Sequence, residues 1–300
     1  MMRVATFANN EAMLASALRT QARMADLQVQ QASGLVSTDY GGLGRKAGDL
    51  LDFEAMLKTS QTYASAATEA SGRVEMLYST LSSVTDLLTE FRSNLVAMMG
   101  TDFNDTTGSA LVSSAAGMMQ ELAALLNVSF EGRYLFAGDA TSTVPVDLEG
   151  YVAAADIAST DYFRGDSAVT TVKISSDQAI RYGITADNSA FEQAFRAMGV
   201  VAQADPLDAA QLQTAYDLLL SSLEATTAVQ STLSVQASTL ERAATRAEDY
   251  QAFLAASISE LKDADVTEIA VLLTSYETQL QASYSALAKV QSLNLLDYLR

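Results

Sequence analysis

Apolar or small side chains between positions 53 and 98 recur at alternating steps of three and four: Phe53, Met56, Ser60, Tyr63, Ala67, Ala70, Val74, Leu77, Leu81, Val84, Leu88, Phe91, Leu95 and Met98. Such a seven-residue repeat keeps one seam of a helix turned toward a partner along its whole length. At 1.5 Å per residue the helix is on the order of 70 Å long, so it needs an equally long partner. A second tract supplies one. Leu212, Leu219, Thr226, Leu233, Leu240, Ala247, Leu254 and Leu261 fall on every seventh position, with Tyr216, Leu223, Gln230, Ala237, Ala244, Gln251 and Ile258 as the second seam position. Asp205-Pro206 predicts where this helix starts, because proline is tolerated in a first turn. Gln230 and Gln251 weaken the seam and can fix its register.

The two ends of the chain carry shorter patterns. From Phe7 to about Ala32, the stripe Leu14, Leu18, Ala22, Ala25, Val29 and Ala32 predicts an amphipathic helix that stops at Ser33-Gly34. The following LVSTDYGGLGRKAGD, with glycines at 41, 42, 44 and 48, reads as loop. At LKDADVTEIAVLL the repeat shifts phase by one residue. Its new seam is Val266, Leu273, Leu280 and Leu287 with Ile269, Tyr276, Ser283 and Val290, and Asp265 followed by Glu268 resembles a capping box. That second terminal helix runs to about Leu293.

Between the long tracts the texture changes. A shorter helix with Leu111, Ala115, Met118, Leu122 and Leu125 is followed by LLNVSFEGRYLFAG, an aromatic hairpin bounded by Gly132 and Gly138. Residues 139–187 hold alternating, Val- and Ile-rich runs such as AVTTVKI and AIRYGIT, as strands do. Helix resumes over 189–203 with Phe191, Phe195 and Met198. The expected fold is mainly α, a long antiparallel helical rod or coiled-coil bundle with a β-hairpin and a small β-rich insertion domain. The chain leaves along one rod and returns along another, so its two ends lie together.

Composition narrows the chemistry. With 36 Asp and Glu against 18 Lys and Arg, the net charge of -18 repels nucleic acid and anionic membranes. Cysteine, histidine and tryptophan are absent, which removes disulfides, Cys/His zinc sites and Ser-His or Cys-His dyads. Asp102, Asn104 and Asp105 lack the glycine and later glutamate of a calcium loop and read as a capped turn. Asn127-Val128-Ser129 matches a glycosylation sequon too common to use, and Asp161 and Asp166 read as solvated loop carboxylates. No catalytic constellation emerges, so no enzyme, cofactor or metal is expected. The N-terminus carries no apolar secretory segment. No run approaches 18 apolar residues, so no membrane insertion is expected either.

Three motifs together resemble one family. Ser33-Gly34-Leu35 followed by Ser37-Thr38-Asp39 and Gly41-Gly42-Leu43, then Gly132-Arg133-Tyr134-Leu135-Phe136-Ala137-Gly138, then Leu293-Asn294-Leu295-Leu296-Asp297-Tyr298-Leu299-Arg300 are similar to the corresponding segments of the flagellin superfamily, the axial proteins of the bacterial flagellum. Tyr40 departs from the family loop, where a second Asp is usual. Tyr162-Phe163-Arg164-Gly165-Asp166 and the short length resemble the hook-associated member that joins hook to filament. A filament flagellin remains an alternative, and a cytoplasmic coiled-coil adaptor a remoter one.

The resemblance implies three parts. Residues 1–42 with 263–300 form a terminal-helix coiled coil, the inner assembly domain. Residues 43–137 with 189–262 form the long-helix rod with its hairpin, and 138–188 an outer β-rich insertion. It also implies a flagellar, extracellular location reached without a cleaved signal peptide. The partners expected are further copies, other axial proteins (hook-associated proteins and flagellin), a type III export apparatus and a cytoplasmic chaperone. Thin apolar stripes on the terminal helices leave them marginal alone, so neighbouring subunits complete their burial. The residues expected at that interface are Phe7, Leu14, Leu18, Leu27, Leu273, Leu280, Leu287, Leu295 and Leu296, with Tyr134 and Phe136 anchoring the hairpin.

Overall fold

The computed structural model describes the backbone of residues 2–100 and 105–296, and side-chain environments over 11–100 and 107–289. In chain order the elements are α1 (Met2–Ser33), a 3-10 turn at Gly41–Leu43, α2 (Lys46–Met99), α3 (Asp105–Leu126), β1 (Ser129–Phe130), β2 (Arg133–Tyr134), β3 (Thr171–Lys173), β4 (Ala179–Arg181), α4 (Ser189–Ala202), α5 (Ala209–Lys262) and α6 (Val266–Leu296). They divide into two compact units: Met1–Lys58 with Gln251–Arg300, and Thr59–Tyr250. Helices α2 and α5 each contribute residues to both.

In the Thr59–Tyr250 unit, the seven-residue seams supply the core. Ser60, Ala67, Ala70, Val74, Leu77, Leu81, Val84, Leu88, Phe91 and Leu95 on α2 are buried, as are Leu212, Leu219, Thr226, Leu233 and Leu240 on α5. Three polar groups at or beside the seam of this unit find partners. The Ser60 hydroxyl donates to the Ala247 carbonyl at 3.0 Å, the Gln230 amide to Thr85 Oγ1 at 3.3 Å, and the Ser222 hydroxyl to the Ala190 carbonyl at 2.6 Å. Helix α5 starts later than Asp205-Pro206 predicts. Asp208 and Gln211 form a reciprocal cap: the Gln211 N–H donates to Asp208 Oδ1 (2.8 Å) and the Asp208 N–H to Gln211 Oε1 (2.9 Å).

Helix α3 packs on α4. Its Thr107–Leu126 stretch is, among the described residues, the one long and apolar enough to cross a membrane. The seam Leu111, Ala115, Met118, Leu122 and Leu126 is instead buried in this core. Alanine and methionine raise its hydropathy where the sequence alone showed no unbroken apolar run.

Strands β1 and β2 pair antiparallel, Ser129 opposite Tyr134 and Phe130 opposite Arg133. Glu131 and Gly132 between them both take positive φ (52° and 76°), the geometry of a two-residue hairpin turn that follows strand twist. Just beyond, two glycine motifs interlock. The Asp166 N–H donates to the Ala137 carbonyl at 2.9 Å. A Cβ on Gly138, whose φ is +65°, would lie 1.8 Å from the Asp166 carbonyl oxygen, and one on Gly165 would lie 2.7 Å from the Ala137 carbonyl oxygen. GRYLFAG and YFRGD, far apart in sequence, thus form one clasp that only hydrogen at two Cα atoms allows.

Most of residues 139–188 is irregular. The AVTTVKI and AIRYGIT runs narrow to three-residue strands that pair antiparallel, Val172 opposite Ile180. The rest is fixed by aromatic packing. Tyr162 and Tyr151 meet edge to face at 5.4 Å between ring centroids, and Tyr162 lies 4.3 Å from Phe195. The buried Tyr162 hydroxyl donates to the Ala186 carbonyl at 3.0 Å.

Two outcomes follow from this packing. Gly138→Ala is expected to destabilise the unit by about 2–4 kcal/mol in denaturant titration, since strain and overlap add, and Gly165→Ala is expected to act in the same direction. Burial raises both tyrosine pKa values, that of Tyr151 to about 12 and that of Tyr162 further. Unfolded tyrosine ionises near 10, so the unfolded chain gives up these protons first. The stabilisation is complete below pH 10 and is lost as pH rises from there. Thermal unfolding midpoints measured from pH 8 to 12 are expected to fall above pH 10, and less steeply in Tyr151→Phe.

Candidate assembly surface

The terminal unit is built around α1 and α6, which pack on each other. Their roots are joined by main-chain bonds. The Val36 N–H donates to the Lys262 carbonyl (2.7 Å) and the Ala264 N–H to the Gly34 carbonyl (2.9 Å), around a Leu35–Asp263 bridge. Because these bonds tie the end of α1 to the start of α6, the two helices run antiparallel. Asp265 Oδ1 accepts the N–H groups of Thr267 and Glu268 and so caps α6.

The loop that follows α1 is equally determined. The Gly42 N–H donates to Asp39 Oδ1 at 2.8 Å, and a Cβ on Gly42 would lie 2.1 Å from Ser37 Oγ. Leu43 is buried. The Tyr40 hydroxyl donates to Glu54 Oε2 at 2.8 Å, and Lys262 Nζ donates to Glu54 Oε1 at 3.2 Å. Loop, α2 and α5 are thereby joined through one carboxylate. The tyrosine that departs from the family pattern is therefore a structural member of this loop.

Helix α1 buries a different face from the one its leucines suggest. Ala17 and Thr20 are buried, and Met13, Met24 and Leu27 half-buried, at steps of four, three, four and three. The sequence-predicted stripe lies on another face and is open along its length. Leu14 is 50% exposed and Leu18 and Val29 are each 56% exposed, and Ala22, Ala25 and Ala32 are exposed too. On α6 the predicted seam faces inward, with Ile269 and Leu273 buried and Tyr276, Leu280, Ser283 and Leu287 half-buried. Val266, in the first turn, is the exception at 45% exposed.

The expected interface residues therefore divide. Leu14 and Leu18 face outward, whereas Leu27, Leu273, Leu280 and Leu287 belong to the α1–α6 seam. The side chains of Phe7, Leu295 and Leu296 lie outside the described residues, as do those of Val290, Asp102, Asn104 and Asp105. Sequence reasoning missed Val271, 66% exposed, and Tyr284, 47% exposed, on the outer side of α6. In the other unit Phe136 is fully buried and meets Phe191 edge-on at 5.7 Å. Tyr134 is half-buried. Among the described residues no group of three or more acidic side chains is placed to hold a metal ion.

Comparisons with known proteins agree with this architecture. The bacterial flagellin N-terminal helical region matches residues 4–141 and the bacterial flagellin C-terminal helical region residues 216–299. The chain belongs to the flagellin family, structural components of the bacterial flagellum. Its fold is similar to that of a candidate flagellar hook-associated protein from Vibrio parahaemolyticus, with a TM-score of 0.61 at 15% identity over 75% of this chain and 99% of that one. More distant matches include flagellar hook-associated protein-3 from Legionella pneumophila (TM-score 0.46, 14% identity, 71% of this chain and 97% of that one). FlgL from Bacillus cereus is at a similar distance (TM-score 0.45, 14% identity, 72% and 98%). No curated protein sequence matches the chain at a significant level.

The Glu54 carboxylate provides a pH test of the loop. The hydrogen bond from Tyr40, followed by that from Lys262, holds its pKa below the ordinary carboxylate value, against the opposing effect of desolvation. The unfolded chain therefore takes up this proton first as pH falls. The contribution is complete above the ordinary carboxylate pKa and is lost as pH drops through the folded value. Amide exchange at Val36 and Ala264 is expected to quicken in acid relative to its intrinsic rate. Glu54→Gln is expected to start less protected at neutral pH and to change less.

Proposed function

We propose that this chain is an axial structural protein of the flagellum that joins hook to filament, assembling through its terminal helices. The observation that carries the assembly reading is the open face of α1. Leu14, Leu18 and Val29 stand half or more exposed on a helix whose other face is already occupied by α6. Burying half of a leucine or valine contributes about 1 kcal/mol. Repeated over the stripe and over every neighbour, that suffices to order terminal helices that are marginal alone.

In this reading the terminal helices, residues 1–42 with 263–300, form the inner assembly domain. Residues 43–137 with 189–262 form the long-helix rod with its hairpin, and residues 138–188 the outer β-rich insertion. Partners are further copies of the chain, hook-associated proteins and flagellin. Delivery uses a type III export apparatus, with a cytoplasmic chaperone holding the C-terminal region, and ends outside the cell without signal cleavage. The chain acts as a building element rather than a catalyst. The junction role draws on the YFRGD segment and on the fold shared with a hook-associated protein.

Replacing Leu14 and Leu18 together by serine is expected to weaken association with copies or axial partners about 10- to 100-fold, as 1.4 kcal/mol per tenfold implies. Helix content by circular dichroism should stay unchanged. Undiminished association by sedimentation would refute the assembly reading. A deletion strain separates the two flagellar roles. Hooks without filaments and flagellin released as monomer are expected; a short or thin filament would instead identify a filament subunit.

A further inference from the structure

Among the described residues, the two most exposed large apolar side chains are Val152 at 73% and Ile157 at 67%. Both belong to residues 151–159, a segment that is neither helix nor strand. In a loose loop such side chains would carry little meaning. This segment is not loose.

Helix α4 and its C-terminal cap hold it through one face, Glu192, Arg196, Gly199 and Gln203, at steps of four, three and four. The Ala153 N–H donates to Gln203 Oε1 at 3.0 Å, and Gln203 Nε2 donates to the Tyr151 carbonyl at 3.1 Å. Further along, Arg196 Nη1 donates to the Ala155 carbonyl at 3.4 Å and the Ser159 N–H to Glu192 Oε1 at 3.2 Å. Arg196 and Glu192 pair with each other at 3.0 Å. A Cβ on Gly199 would lie 2.5 Å from that of Ala153, so the segment lies directly on the helix. Val152 and Ile157 are thus held outward on a fixed support. Little freedom is left to lose when something covers them.

Charge indicates what covers them. Residues 134–163 carry five acidic side chains and no Lys or Arg, and Asp156 stands exposed beside Ile157. The complementary surface is on the β3–β4 hairpin of the same chain. Val172 and Ile180 pack against the core, which turns Thr171, Lys173, Ala179 and Arg181 to the other side, all exposed. Lys173 pairs across the strands with Ala179 and Arg181 with Thr171, so the two cations are diagonal neighbours about 7–8 Å apart. Among the described residues neither forms an ion pair, not even with Asp177 in the hairpin turn. In a chain of net charge -18, two adjacent cations without an acid make a place for an anionic side chain. Their aliphatic stems, with Ala179, offer apolar surface beside it.

We propose that the 151–159 segment of one copy docks on the β3–β4 face of a neighbouring copy, with Val152 and Ile157 against Ala179 and the stems of Lys173 and Arg181, and Asp156 paired with those cations. The inference rests on the reading that copies assemble, and adds to it a contact away from the terminal helices. Because the two surfaces differ, each copy offers one and receives the other. Such a head-to-tail contact repeats around a ring or along a helix.

The chain has no cysteine, so introduced ones report contacts directly. Full-length Ile157→Cys and Ala179→Cys proteins are to be mixed and oxidised, and the disulfide-linked dimers resolved by mass. The 157–179 product is expected to exceed either like pair by about tenfold or more, the preference that 1.4 kcal/mol implies. Lys173→Glu with Arg181→Glu in the Ala179→Cys protein is expected to reduce it about tenfold, within the coupling that close charge pairs give across an interface. Asp156→Lys in the Ile157→Cys protein alone should reduce it likewise, and the two reversed proteins mixed together should recover it. A yield indifferent to charge reversal, or a predominance of 157–157 dimers, overturns the proposal. Sedimentation of the full-length protein and of the Leu14→Ser, Leu18→Ser variant keeps the two readings apart. Association that depends on Leu14 and Leu18 without a 157–179 product overturns this contact and leaves the assembly reading standing. A protein that neither associates nor cross-links overturns both.

Discussion

Side chains spaced alternately three and four apart along α2 and α5 leave each helix a single unbroken face to bury. In the Thr59–Tyr250 unit that face becomes the core on which the other elements are hung. Because the seam mixes large residues such as Phe91 and Leu81 with small ones such as Ala67 and Ala70, packing depends on which residue meets which. Polar positions sharpen that register. Ser60 and Gln230 each hydrogen-bond to the opposite helix, and sliding either helix would break these bonds, a loss of about 1 kcal/mol at half-buried Gln230 and up to about 3 kcal/mol at buried Ser60. The hairpin, α3, α4 and the irregular segment then pack into the same core.

The terminal unit follows the opposite design. Helices α1 and α6 each bury one face on the other and leave apolar residues on the far side, Val29 on one and Val271 on the other. A helix pair of this kind gains little from its own packing, and its surplus apolar surface is directed outward. The Thr59–Tyr250 unit builds one continuous core, although Val152, Ile157 and Val235 stay exposed there. The terminal unit has few fully buried positions and leaves the Leu14–Leu18–Val29 stripe open.

The long seams were legible because their period is strict and runs for many turns, so local irregularities could not mask them. The aromatic hairpin was legible because Gly132 and Gly138 punctuate it. The orientation of α1 was not legible. Its leucines and its buried seam compete on nearly equal terms, and the partners at its root, Lys262 and Ala264, stand more than two hundred residues away. Nor was the extent of strand in the insertion. Val172 and Ile180 alternate as strand residues do, but most of the segment is held by aromatic rings and by side chains bonding to backbone, which periodicity does not register. The two glycine motifs were each visible, yet their interlock was not, because a close approach between backbones leaves no trace in spacing.

That interlock also bears on how the family can diversify. The chain excursion between Asp139 and Arg164 begins and ends at neighbouring points, since Ala137 and Gly138 sit directly against Gly165 and Asp166. A loop with its feet already pinned together can lengthen at little entropic cost, because closure cost grows only with the logarithm of its length. Within it Val146, Tyr151 and Tyr162 are committed to the core, whereas Asp156, Ile157 and Ala158 are exposed. Evolution, or an engineer seeking a place to display foreign peptide, can therefore insert at that exposed turn while the helices keep their geometry.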